Sequence, residues 1–90
     1  MPDTDQQHIL GAFDRDMTAL QAHFLQLSGL TEHALTEAAL ALETLDAQAA
    51  DRVIAADSAI DDLEEFIQTE AASLIARRAQ LVHDRWRGVQ

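Results

Sequence analysis

This sequence reads as all-α: one long antiparallel helical hairpin that completes its bundle by self-association. Punctuation is the first sign, since 90 residues contain only three Gly and one Pro. Periodicity is the second. Apolar residues recur at alternating steps of three and four, the spacing of a helical seam, and the pattern restarts once, around Asp46. The reading is a single domain over residues 1–90, with helix 1 at about 5–45 and helix 2 at about 47–83.

Helix 1 is expected to open at Thr4, because Gln7 follows three residues later. In such a capping box each side chain satisfies a free backbone N–H of the first turn. Leu10, Phe13, Met17, Leu20, Phe24 and Leu27 then form the seam, and Thr31, Ala34, Ala38, Ala41 and Leu45 continue it. The small residues in that second half allow a partner helix to approach closely. Gly29 costs about 1 kcal/mol relative to Ala, which a long packed helix absorbs. Asp46 is the expected break and the N-cap of helix 2, its carboxylate accepting from N–H groups two and three residues on. Asp51 stands near enough to assist with the helix dipole. So short a connection makes the helices antiparallel.

Helix 2 carries Val53, Ala56, Ile60, Leu63 and Ile67 as its stripe. The same stretch, VIAADSAIDDLEEFI, crowds in Asp57, Asp61, Asp62, Glu64 and Glu65, and residues 53–76 hold no Arg, Lys or His. Ala79 and Gln80 are good helix formers, so the helix should pass them and reach at least His83, with Gly88 the first residue suited to end it. One seam between two helices leaves Leu25, Leu40, Ile54 and Ile75 off-stripe. Exposing them forgoes about 25 cal/mol for each Å², so a third helix or another copy of the chain is expected to cover them.

Composition narrows the function classes. Sixteen Asp and Glu face six Arg and no Lys, for a formal charge of −10. Nucleic-acid binding needs cationic side chains to displace counterions, and a membrane-surface helix needs a basic face, so neither is expected. No leader pattern or membrane-spanning apolar run occurs, and no Cys is present, which points to a reducing, cytoplasmic setting.

At 100° per residue, Asp57, Asp61 and Glu64 share one helix face. Like charges three or four positions apart cost about 0.2–0.5 kcal/mol per pair. The row is either a solvated face or half of a cation site, and oxygen ligands of this kind suit hard divalent cations and iron. Bracketing apolar residues suggest that it faces protein. His33 with Glu37, and Asp5 with His8, have metal-pair spacing, but neither pattern recurs as a carboxylate-bridged bundle site requires. Arg77 and Arg78, with Arg85 and Arg87, form the basic cluster. They either complement a helix C-terminus or offer an anion or partner-docking surface, and Trp86 among them reads as a packing anchor.

The run VIAADSAIDDLEEFI followed by SLIARRAQ resembles the second helix of the PhoU family, with its Val-Ile, D-x-x-I-D, L-E and I-A-x-R-Q-P pattern. FDRDMTALQAHFLQLSGLTEHALTEAALAL resembles that family's first helix, and the likeness covers residues 8–84. It implies an all-helical regulator of phosphate uptake and phosphate-starvation signalling, built from three-helix repeats. It further implies contact with a phosphate-transporter ATPase and a sensor kinase, frequent dimerisation, and metal held by paired (E/D)-x-x-x-D motifs. Asp57 and Asp61 occupy the second-helix motif and are the expected metal ligands, with Glu64 on the same face as support. The third-helix motif E-R-I-G-D and the second repeat have no counterpart, so the chain reads as a fragment or a short self-associating relative. Any iron or other divalent cation is expected to bind weakly.

Two other functions use the same residues. His23 could be the phosphorylatable His of a phosphotransfer bundle, but its HFLQL context lacks the Lys and Gly of the usual H-x-L-K-G. An adaptor hairpin without a phosphate role needs none of these groups. The A-R-R-x-x-L-V run is similar to that of small helical chorismate mutases. Those enzymes also use Lys, and the I-D to R-R spacing here is too long. The expectation is a non-enzymatic regulator working by protein contact, as a homodimer or larger.

Overall fold

The structure, a computed structural model, describes the backbone over residues 2–89 and the side chains of residues 10–88. It consists of two helices, α1 at Pro2–Thr44 and α2 at Ala47–Val89, with no strand among the described residues. Proline suits the start of α1 because an N–H there has no intrahelical acceptor to lose. Thr4 therefore lies within the helix. The Thr4–Gln7 capping box, Asp5 and His8 fall outside the described side chains. Each helix has 43 residues, about 65 Å at 1.5 Å per residue. That length accounts for the principal extents of 67 × 19 × 13 Å.

The turn uses two residues. The Asp46 N–H donates to the Ala41 carbonyl at 3.3 Å, the wide hydrogen bond of a Schellman ending to α1. Such an ending needs a left-handed residue just before, and Leu45 takes that role at φ 53°. Leu45 therefore does not continue the seam of α1: it leaves the helix and is 87% exposed. Asp46 then caps α2. Its Oδ1 accepts from the Gln48 N–H at 3.0 Å, and its carbonyl accepts from the Ala50 N–H at 3.1 Å. Asp51 lies beyond the first turn, which holds no acid, so the cap is carried by Asp46. At the far end α2 runs unbroken across Ala79 and Gln80, and also through Gly88.

The core is a narrow line. Leu20, Ile67 and Leu74 are buried, with Phe13, Met17, Leu27, Leu63 and Ala71 packed against them. Toward the turn the contacts shrink to Ala34, Ala38 and Ala41 of α1, with Ala49 of α2 fully enclosed. Thr31 is exposed and returns its hydroxyl to the Leu27 carbonyl at 2.8 Å. Leu10 and Phe24 remain half exposed, since a second helix covers only one side of a stripe that broad. Leu25, Leu40, Ile54 and Ile75 are 52–75% exposed. No helix is long and apolar enough to cross a membrane among the described residues.

Candidate functional site

The antiparallel register brings polar side chains across the seam at three levels. Nearest the turn, the Arg52 guanidinium reaches Glu37 at 3.5 Å, and His33 approaches the other oxygen of that carboxylate at 3.6 Å. At mid-length His23 Nδ1 and Glu70 Oε1 are 2.9 Å apart, and both side chains are partly buried. The His23 ring also meets Phe66 edge-on, with centroids 5.2 Å apart and planes at 85°. Toward the open end Arg77 pairs with Asp16 at 3.0 Å, while the Arg78 guanidinium lies over the Phe13 ring at 4.8 Å.

These contacts decide between several readings. Arg77 and Arg78 stand more than two turns before the end of α2, whereas dipole effects fade within the last turn. Only Arg87 lies in that last turn, so the dipole role does not apply to the other pair. Both side chains are engaged within the hairpin, although Arg77 stays exposed enough to meet a partner as well. Half-buried His23 has one nitrogen occupied by Glu70, which does not suit an openly presented phosphoacceptor. His33 does stand with Glu37, but their partner is Arg52, which does not bind metal.

Asp57, Asp61 and Glu64 occupy one exposed flank of α2. On the helical wheel they lie about 100° away from the Leu63–Ile67 seam, and α1 does not cover them. The bracketing Ile54 and Ile75 are each 69% exposed, so within this chain the row faces outward and not onto protein. Among the described residues no cation lies within ion-pairing distance of the row, and no three His, Asp or Glu side chains converge as a metal site would need. Two carboxylates one turn apart leave most of a cation's coordination sphere to water.

Nothing in the sequence drew attention to the groove at the open end. It has a volume of about 660 Å³, with an almost wholly apolar lining that includes Phe13, Met17, Leu74, Ile75, Val82 and Trp86. Trp86 forms its outer edge and is 68% exposed, so it anchors no packing within the hairpin. Glu70 was also missed as the partner of His23. Reflecting position 23 through the Leu45–Asp46 turn would have landed within about two residues of it.

Comparison with known proteins fits this geometry. The PhoU domain matches residues 24–87, which take in about half of α1, the turn and nearly all of α2. A phosphate-specific transport system accessory protein PhoU homolog of Burkholderia sp is 36% identical over 78 residues. That alignment covers 87% of this chain and 33% of the relative. The phosphate-specific transport system accessory protein PhoU of Serratia marcescens is 32% identical over 78 residues, covering 87% and 32%. The homolog from Zymomonas mobilis is 36% identical over 77 residues, covering 86% and 32%. The chain thus spans about a third of the length of these relatives. No solved structure matches it. A domain match over most of the chain, with both helices and their connection aligned, shows that the chain belongs to the PhoU family.

Proposed function

We propose that this chain is a regulator of phosphate uptake and phosphate-starvation signalling that works by protein contact and not by catalysis. The observation that carries the reading is the PhoU match across the hairpin, together with relatives named as accessory proteins of phosphate-specific transport. The physical arrangement supports it. Large apolar side chains stand exposed along both helices, which is the surface of a contact module. The contacts proposed are with the phosphate transporter's ATPase and a sensor kinase, in the cytoplasm. The acidic row is proposed as the inherited half of a metal-binding pair, able to hold iron or another divalent cation only weakly until further carboxylates join it.

A phosphate-starvation reporter tests the function. Deleting the gene should deregulate the reporter in phosphate-rich medium, and supplying this chain in the context of its full gene product should restore control. An unchanged reporter at both high and low phosphate would leave the adaptor reading in its place. The phosphotransfer reading predicts acid-labile phosphate on His23, and the His23–Glu70 contact argues against it.

A further inference from the structure

We propose that the turn of the hairpin is a docking knob for a partner protein. Leu45 and Leu42 enter an apolar pocket of that partner, and Glu43, Asp46 and Asp51 meet Arg or Lys at the pocket's rim. The proposal rests on the protein-contact reading above and adds where the contact is made and what it recognises.

The backbone points there first. Among the described residues Leu45 alone has a positive φ, at 53°. A left-handed residue that ends a helix is usually Gly, sometimes Asn, because a Cβ is crowded in that conformation. Leucine contributes nothing to the fold in exchange, since its side chain is 87% exposed. Asp46 stands where such an ending often places the apolar residue that closes onto the helix. Strain with no packing to balance it is characteristic of functional sites.

Side-chain placement agrees. Leu45 and Leu42, at 87% and 77%, are the two most exposed large apolar residues among those described. The seam beneath them is filled by alanines instead, with Ala49 buried and Ala38 and Ala41 half-buried. The turn end therefore closes without either leucine. A helix laid along the hairpin covers flank residues such as Leu25 and Ile54. Leu45 lies past the last residue of α1, so bundle neighbours packed along the helices leave it uncovered.

Charge selects the partner. Residues 38–51 hold Glu43, Asp46 and Asp51, and no Arg, Lys or His. All three acids are exposed, and none takes part in an ion pair among the described residues. Arg52, the next cation along the chain, is engaged by Glu37 at 3.5 Å. An apolar knob collared by unanswered carboxylates fits a pocket with a basic rim and rejects one with an acidic rim.

Calorimetric titration of the full gene product tests this, against the purified phosphate-transporter ATPase and against the cytoplasmic part of the sensor kinase. At least one should bind, with a dissociation constant that rises about threefold or more from low to high salt. Leu45→Asn removes the apolar side chain and keeps a residue that tolerates the left-handed region. This variant and Leu42→Gln should each weaken binding about tenfold or more, with helicity kept by circular dichroism. Glu43→Gln with Asp51→Asn should weaken it about threefold or more. Asp62→Asn with Glu65→Gln, exposed acids far from the turn, should leave it within about twofold. Binding of the wild type to neither protein would overturn this proposal together with the contact reading it rests on. Binding that survives the leucine variants, or that ignores salt and the turn acids, would overturn this proposal alone.

Discussion

Leu45→Gly should make the hairpin more stable, although it deletes a large apolar side chain. Leu45 holds a left-handed backbone at φ 53°, where the Cβ of an L-residue crowds the neighbouring carbonyl at a cost of roughly 1–2 kcal/mol. At 87% exposure the side chain recovers almost nothing by burial. Glycine removes the crowding, and the entropy it adds to the unfolded chain offsets only part of the gain. The net should be about 0.5–1 kcal/mol. For a chain of this size that is a rise in Tm of several degrees.

The adjoining substitution sets the opposite sign. Asp46→Ala removes the carboxylate that accepts from the Gln48 N–H while keeping the backbone bonds to Ala41 and from Ala50. Loss of an N-cap costs about 1 kcal/mol. Thermal and urea unfolding at one fixed protein concentration, followed by circular dichroism, give both numbers, since association would otherwise shift Tm by mass action. If Leu45→Gly lowers Tm while Asp46→Ala leaves it unchanged, the turn is not held by a left-handed residue and a cap, and the argument fails.

Three further outcomes follow from the same geometry. Asp57→Asn with Asp61→Asn removes three like-charge pairs along the outer flank of α2 and should raise metal-free stability by about 1 kcal/mol at low salt. Added manganese or iron should raise Tm slightly in the wild type and not in this variant; equal Tm values under every condition would mark the row as an inert solvated face. A double-mutant cycle of His23→Ala and Glu70→Ala should give a coupling of about 0.5–1 kcal/mol for the half-buried pair, and a coupling near zero would mean that the contact contributes nothing. Gly29→Ala should stabilise the isolated hairpin by about 0.5–1 kcal/mol, because an added Cβ there meets no atom within 4 Å. A destabilised variant would show that some other surface approaches that position closely.

Much of the fold was legible because helical packing writes itself into spacing. The steps from Phe13 to Leu27 and from Leu63 to Ile67 placed the seam, and Asp46 announced its cap through its side-chain chemistry. Leu45 was not legible for a physical reason: leucine is a poor left-handed residue, so nothing about its type points to that conformation. The exposure of Leu25, Leu40, Ile54 and Ile75 follows from simple geometry, since one partner helix covers one stripe. Whether the acidic row met α1 depended on a rotation about the α2 axis that apolar brackets alone do not determine. The partners of Arg77 and Arg78 depended on register. That register was available only by counting outward from the turn, residue by residue, to Asp16 and Phe13.

The two halves of the hairpin call for different kinds of company. Burying Asp57, Asp61 and Glu64 against a second copy would desolvate carboxylates that this chain has little means to neutralise. Its cations cluster at the other end, where Arg77 is paired with Asp16 and Arg78 lies over Phe13. An exposed acidic flank bordered by Ile54 therefore suits water, a bound cation, or a partner that brings its own Arg and Lys. The open end differs, because its carboxylates and arginines balance in number and its groove is almost wholly apolar.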